Sequence, residues 1–432
     1  MNHGKEVIIY FANWYYGRKS SREGAEVCTI PWDKVSYVNH AFWYVEPDDG
    51  TTETSFQRRD AGLPPRTKFR LTSLTPDADL GKQPASELVE GLSKNHFEQY
   101  AHYAKLYPDV KILISIGGWT RCGWFSEMAY TQEGRDSFVK CCMDLLHTYP
   151  WLGGFDIDWE YFGGNPNGDR VSGEPDDQGC PIWGTSQEDC RNLAALAKQL
   201  KQTMDSEYGM GVKKLTACSC GSTWTLTCQN WGVVAPYMDM INIMSYDMAG
   251  VWDRKADHAS EIFQTRAALD FIHNTYDVPY EKLCVGSPLY GTDMKMKALP
   301  EEGEIVGAIV EDVRPASAGV TETVLKNWES QAVSGYEIDW TSGKPKMGVS
   351  FQKGGRGWHM GFDEKRRGAY LWNDDENSDH YLWFVSYENP LSLQDKLDLI
   401  EEKNCAGMLV WEVSQDTLDH VMIGQMAENL LK

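Results

Sequence analysis

No apolar run in the chain approaches the ~18 to 20 residues that cross a bilayer, and basic side chains are scarce. The 432 residues carry 41 Lys and Arg against 63 Asp and Glu, a formal net charge of −22. Like charge repels phosphate backbones and anionic lipid heads, so neither a nucleic acid nor a membrane is expected as a partner. The chain runs from Met1 into Val7-Ile8-Ile9-Tyr10-Phe11 without a charged leader, apolar stretch and cleavage site, so no signal peptide is expected here. The 11 cysteines are odd in number and lack the paired spacings of a zinc site. Most are expected as buried free thiols, although Cys180 and Cys190 bracket a Gly/Pro-rich loop and would suit a bridge in an extracellular protein. A glycine-rich phosphate loop is also missing: after the first apolar run stands Asn13-Trp14-Tyr15-Tyr16-Gly17. Neither a cofactor nor a resident metal is expected.

Aromatic residues, by contrast, are plentiful: 17 Trp, 21 Tyr and 14 Phe. Several stand beside Gly, Asn and Asp where strand-like runs end, and flat apolar rings next to hydrogen-bonding groups suit sugar rings. Eight strand-like runs are read at Val7 to Ala12, Tyr37 to Phe42, Lys111 to Ile116, Gly154 to Trp159, Lys214 to Ser219, Met240 to Ser245, Lys282 to Ser287 and Ala406 to Trp411. Between them, Phe97, Tyr100, Ala101 and Ala104 recur at helical spacing, as do Leu193, Leu196, Ala197, Leu200 and Met204. The second helix opens on Thr185-Ser186-Gln187-Glu188, the pattern of a capping box. Further helices are expected over Arg135 to His147, Ser260 to Asn274, Leu393 to Lys403 and Leu418 to Leu431.

Strands that are apolar over most of their length and alternate with helices indicate a parallel sheet covered by helices. The simplest form is a closed (β/α)8 TIM barrel of the α/β class, with an open doubly wound sheet as runner-up. The connection between the seventh and eighth strands is far too long for a structureless loop and is read as an inserted α+β domain. The expected division is a barrel of residues 1–291 and 385–432 with an insertion of 292–384. Within the insertion, Ile305 to Val310, Tyr336 to Trp340 and Tyr381 to Tyr387 read as strands and Thr323 to Val333 as a helix. Its aromatic residues would wall the barrel mouth.

The most informative stretch is Gly153-Gly154-Phe155-Asp156-Ile157-Asp158-Trp159-Glu160-Tyr161. Side chains alternate along a strand, so Asp156, Asp158 and Glu160 share one face, roughly 7 Å apart, while Ile157 and Trp159 take the other. A calcium loop is disfavoured, because it would interleave polar residues and a turn-forming Gly rather than Ile and Trp. Crowded carboxylates cannot all ionise, so the outermost, Glu160, is expected to stay protonated near neutral pH and act as a general acid. Such an acid suits a glycosidic oxygen.

The Asp-x-Asp-x-Glu pattern on a fourth barrel strand resembles the signature of family 18 glycoside hydrolases, the chitinases. Lys111-Ile112-Leu113-Ile114-Ser115-Ile116-Gly117-Gly118-Trp119 resembles the family's Ser-x-Gly-Gly strand, and Met244-Ser245-Tyr246-Asp247 its Met-x-Tyr-Asp strand. Pro288-Leu289-Tyr290-Gly291 and Gly407-Met408-Leu409-Val410-Trp411 are similar to its last two strands. The insertion resembles the α+β module of deep-cleft members, with Tyr336-Glu337 and Ser386-Tyr387-Glu388 as markers.

The resemblance implies a retaining, substrate-assisted hydrolase of β-1,4-linked N-acetylglucosamine chains. Glu160 would donate the proton and later activate water. Asp158 would bind the substrate's acetamido N–H, Asp156 would share a proton with Asp158, and Tyr246, with Asp247 beside it, would orient the acetamido carbonyl. Trp411 would floor the site, with Tyr10, Trp14 and Phe42 on the glycon side, Trp119 and Trp252 on the leaving-group side, and Met244 and Tyr290 also touching substrate. Tyr161, Phe162, Trp224 and Trp124 stay undecided between core and cleft. Two positions depart from the family pattern: Gly153 replaces its first acid, and Thr292 replaces an Arg that many relatives carry. The other readings are an endo-β-N-acetylglucosaminidase acting on N-glycans and a sugar-binding lectin on the same scaffold. The substrate implies an extracellular place, and a monomer is expected.

Overall fold

The computed structural model describes residues 4–15, 26–172, 177–300, 305–311, 325–326, 337–339, 344–346, 357–378, 381–416 and 419–431. Eight parallel strands form its centre: Glu6–Ala12, Tyr37–Pro47, Lys111–Gly117, Gly154–Asp158, Lys214–Cys220, Met240–Met244, Leu283–Pro288 and Gly407–Trp411. Each pairs with the next, and the first pairs with both the second and the last, so the sheet closes into a barrel. All eight runs expected from the sequence are these strands. The second is longer than expected, because its end, Trp43–Pro47, gains an antiparallel partner in Phe69–Ser73.

Alternation along each strand divides the core in two. Val7, Ile9 and Phe11 face outward into the layer under the helices, while Ile8 and Tyr10 face the barrel interior with Leu113, Met240, Tyr246 and Leu409. The outer layer is closed by amphipathic helices at His96–Leu106, Gln132–Thr148, Ser186–Tyr208, Ile262–Tyr276, Pro390–Lys403 and Val421–Leu430. The Thr185 side chain accepts from Glu188 N–H as expected, but the Glu188 carboxylate accepts from the Thr185 hydroxyl and not from its backbone. Among the described residues no helix is long and apolar enough to cross a membrane.

A second, antiparallel sheet lies between the seventh and eighth barrel strands. Its order is Leu325–Lys326, Tyr290–Lys295, Trp383–Tyr387, Gly368–Asn373, Trp358–Asp363. Met294, Met296 and Phe384 pack with Ala249 and Ala256, which follow the sixth barrel strand, and so seat the insertion on the barrel's loops. The expected strand over Ile305 to Val310 is instead a turn followed by isolated bridges to Lys255 and Met296, since among the described residues no neighbouring strand continues the ladder. The helix expected over Thr323 to Val333 is contradicted at Leu325–Lys326, which pair with Tyr290 and Gly291. The rest of that segment lies outside the described residues. Glu337–Asp339 form a short hairpin with Lys344–Lys346.

All eleven cysteines are free thiols. Cys180 and Cys190 do not bridge: the Cys180 sulfur accepts from Trp159 Nε1 at 3.2 Å, and the Cys190 thiol donates to the Cys228 carbonyl at 3.3 Å.

Candidate active site

The carboxyl end of the fourth barrel strand carries the acid row. Gly154 at its base has φ +143, and a Cβ there would stand 1.9 Å from the Lys214 carbonyl, so only glycine lets this strand approach its neighbour. Above it the alternation holds. Phe155, Ile157 and Trp159 join the outer core, where Trp159 stacks on Phe125 at 5.3 Å, while Asp156 and Asp158 are buried toward the interior.

Asp156 lies in register with Ser115 on one neighbouring strand and Thr216 on the other. Four groups donate to its carboxylate: Tyr10 Oη at 2.7 Å, Ser115 Oγ at 2.9 Å, Thr216 Oγ1, and Asn242 Nδ2 at 3.2 Å. Asn242 also donates to Tyr10 Oη at 3.3 Å. A buried carboxyl that receives this many donors has its oxygens satisfied and its orientation fixed.

Asp158, one step outward, is different. Burial and the neighbouring Asp156, to which it is hydrogen-bonded, push its pKa well above the ordinary carboxylate value, so this carboxyl keeps a proton. Its Oδ1 is buried without a hydrogen-bond partner, which leaves an acceptor for an incoming N–H. Glu160 stands just beyond the strand end. Burial raises its pKa to about 8, against the opposing pull of the Arg170 cation and with help from Asp247, Asp177 and Asp156. The three acids thus differ in setting: Asp156 is fixed by four donors, Asp158 keeps a proton beside it, and Glu160 stays neutral near pH 7.

Tyr246 is buried in the same interior, close enough to Glu160, Asp158 and Asp247 for their charges to raise its pKa after burial itself. Asp247 follows in the left-handed region, φ 53. Its carboxyl accepts from Tyr290 Oη at 2.5 Å, and burial raises its pKa.

Aromatic rings gather at the mouth. Trp411, at the end of the eighth strand, lies 5.5 Å from Phe42 at an interplanar angle of 17°, 5.9 Å from Trp14 and 5.5 Å from Tyr10. Trp14 in turn stacks on Phe42 at 5.9 Å. Phe42, Trp14 and Trp411 are half-buried against the interior cluster, as rings with one usable face must be, and Met244 is half-buried beside them. Non-proline cis peptide bonds join Ala41–Phe42, Glu160–Tyr161 and Trp411–Glu412.

Two candidates sit apart from that cluster. Trp119 is 45% exposed and meets the edge of Tyr161 at 6.3 Å. Trp252 folds back on Gly250 in the loop after the sixth strand, and a Cβ at Gly250 would strike its ring at 2.5 Å. Of the undecided rings, Phe162 and Trp124 are core, and Trp224 is exposed on the short helix Thr223–Leu226.

Several neighbours were not singled out from the sequence. Ser115, Thr216 and Asn242 each interrupt an apolar strand with one polar residue, and that interruption was the available signal. Cys122 gave none. Its sulfur accepts from Glu160 N–H at 3.1 Å and faces the carbonyls of Gly118 and Asp158, also at 3.1 Å, tying the third strand's loop to the fourth strand. A buried trio of His40, Asp79 and His96 lies on the outer side of the barrel and has metal-ligand residue types. Its carboxylate already accepts from Asn13, Trp43, Ser73 and both imidazoles, so it reads as a hydrogen-bond hub with its oxygens occupied.

Comparisons with known proteins agree with this architecture. The Group IV chitinase of Ostrinia furnacalis superposes with a TM-score of 0.72 at 18% identity, covering 99% of each chain. Chitinase ChiA74 from Bacillus thuringiensis gives 0.72 at 22% identity over 99% of this chain and 69% of that one. In sequence, Chitinase ChiA of Flavobacterium johnsoniae is 27% identical over 96% of this chain but 27% of its own length. Chitinase A1 of Niallia circulans is 25% identical over 95% of this chain and 56% of its own. The chain therefore spans from about a quarter to just over half of these curated relatives. Residues 6–416 match the glycosyl hydrolases family 18, and the chain belongs to that family.

Proposed function

We propose that this chain hydrolyses β-1,4 linkages between N-acetylglucosamine units of chitin and its oligosaccharides, with retention, using the substrate's own acetamido group as nucleophile. The supporting observation is the arrangement of the acid row. A carboxyl held neutral up to about pH 8 stands at the barrel mouth, next to a buried acid with an unpartnered oxygen and a third carboxylate fixed by four donors.

In this reading Trp411, Trp14, Phe42 and Tyr10 receive the sugar on the non-reducing side of the cleaved bond, and Trp119 and Trp252 receive the leaving side. Asp158 accepts the acetamido N–H while Tyr246 donates to the acetamido carbonyl, which turns that oxygen toward the anomeric carbon. Because this attack is intramolecular, alignment replaces a protein nucleophile. Glu160 passes its proton to the bridging oxygen as the C–O bond breaks, and the leaving sugar departs as a neutral alcohol. The cyclic oxazolinium cation that remains is balanced by the Glu160 carboxylate left behind, with the proton-sharing Asp158–Asp156 pair beside it. Water then loses a proton to the Glu160 carboxylate and opens the ring on the same face from which the first sugar left. Tyr290 and Met244 border the reacting sugar, and Asp247 is held beside Tyr246 by the Tyr290 hydroxyl. The 292–384 insertion forms one wall of the cleft around a barrel of 1–291 and 385–432. The acting species is a monomer placed where chitin is met, outside the cell.

The test is product analysis on chitohexaose with the wild type and with Glu160→Gln. Shortening by the wild type and binding without shortening by the variant support the proposal. Equal activity in both refutes it.

A further inference from the structure

The segment that follows the acid row returns to it through one side chain. Arg170 is 8% exposed, and its guanidinium reaches three places at once. Nε donates to the Glu160 carbonyl at 3.1 Å, Nη2 donates to the Trp119 carbonyl, and the guanidinium carbon lies 4.0 Å from the Trp119 ring centroid. Nη1 donates to Asp177 Oδ2 at 2.5 Å, and the other Asp177 oxygen accepts from Gly179 N–H. The backbone behind it is fixed as well, by a reciprocal pair of hydrogen bonds between Arg170 and Cys180. A planar fork with five donors makes such a three-way clamp, and a lysine ammonium does not.

We propose that Arg170 is a positioning residue that holds the Trp119 indole, one face covered and the other open, in fixed relation to the Glu160 backbone, so that an acceptor sugar resting on Trp119 is delivered at the height of the acid. Trp119 is nearly half exposed despite the guanidinium over it, so a free face remains for a ligand. Trp119 lies beyond the third barrel strand and Glu160 beyond the fourth, and the Arg170 side chain spans the two through their carbonyls. The charged and titratable groups around the guanidinium are the Asp177 and Glu160 carboxylates and the thiols of Cys122 and Cys180. The cation therefore also favours the ionised form of Glu160, which is a second, separable effect.

This inference rests on the proposed hydrolysis, and the experiment separates the two. The kcat and KM on chitohexaose, with kcat followed against pH, are measured for wild type, Arg170→Met, Arg170→Lys, Trp119→Ala and the Met/Ala double variant. Arg170→Met and Trp119→Ala are each expected to raise KM about tenfold, as loss of one stacking platform does. The double variant is expected to be no worse than the weaker single, since one residue acts through the other. Arg170→Met moves the alkaline limb of kcat upward, because a cation facing Glu160 is gone. Arg170→Lys keeps that limb in place and still has the raised KM. Multiplying effects in the double variant, or wild-type KM in Arg170→Lys, overturns the proposal. If the wild type does not shorten chitohexaose, the hydrolysis fails by itself. The clamp is then decided by the Trp119 emission, taken as the difference from Trp119→Ala: greater acrylamide quenching in Arg170→Lys sustains it, and unchanged quenching overturns it.

Discussion

Replacing Glu160 by Gln removes the acid and keeps its shape, and the structure assigns that change two effects with opposite signs. Activity falls, by ~10² to 10⁴-fold in kcat for loss of a general acid. Stability rises, but only where the carboxyl is under pressure to ionise. In the unfolded chain Glu160 titrates near its ordinary 4.5, whereas in the folded chain burial raises it to about 8. The folded state therefore holds a proton that the unfolded state has released. The stability associated with this group is complete below pH 4.5 and is lost as pH rises toward 8. At 1.36 kcal/mol per unit, the loss is ~3 kcal/mol by pH 7 and ~5 kcal/mol above pH 8. Gln does not titrate, so the variant escapes it. An unfolding entropy of ~2.1 cal/mol/K per residue gives ~0.9 kcal/mol/K for this chain, and the gain becomes about 3 to 5 °C in Tm. Thermal melts of both proteins from pH 4 to 9 read it directly. The curves are expected to converge near pH 4 and to separate progressively from about pH 4.5 to 8, the variant higher. A gap that is constant with pH, or a wild type that melts higher at pH 8.5, refutes the assignment of a buried neutral acid at this position.

Tyr10→Phe takes one of four donors from Asp156, and kcat on chitotetraose is expected to fall by roughly 10- to 100-fold, the cost of leaving a buried acceptor one donor short, with KM little changed. A chitosan oligomer without acetyl groups is expected to bind in the cleft and remain uncut in a product assay, and cleavage at the chitin rate would contradict the substrate-assisted mechanism. Adding EDTA is expected to leave both Tm and kcat unchanged, since the Asp79 carboxylate between His40 and His96 is already saturated with donors; a fall in Tm would reveal a metal there. Asp79→Asn is expected to lower stability by ~3 kcal/mol in urea titration, because an amide cannot accept from all the buried donors that converge on this carboxyl and leaves some unsatisfied.

The barrel was readable because a strand covered on both sides is apolar nearly throughout, and eight such runs have few other arrangements. The acid row was readable for a related reason. Asp156 and Asp158 violate an otherwise apolar strand at period two, and folding alone gives no cause for that. The same logic extends to Ser115, Thr216 and Asn242, single polar residues inside Ile114-Ser115-Ile116, Leu215-Thr216-Ala217 and Ile241-Asn242-Ile243, whose shared target becomes visible only once the strands stand side by side in register. The insertion was less legible. Leu325–Lys326 carries a locally helical pattern but pairs with a strand more than thirty residues earlier, and tertiary pairing overrides local preference. Arg170 was out of reach altogether, since nothing in its neighbours along the chain says that its loop turns back on Trp119.

The root of the insertion has a practical consequence. The seventh barrel strand ends at Pro288, and the second sheet begins at Tyr290, with Leu289 alone between them. Leu289 N–H is bonded to the Trp411 carbonyl at 2.8 Å, and the Tyr290 hydroxyl is bonded to Asp247. A chimera that exchanged this module by cutting at 289 or 290 would unhook a ring of the platform and a carboxyl beside the reaction at one stroke. Splicing beyond Lys295 on the way out and before Trp383 on the way back keeps both anchors in the recipient, so that a transplanted module leaves the Trp411 and Asp247 contacts intact.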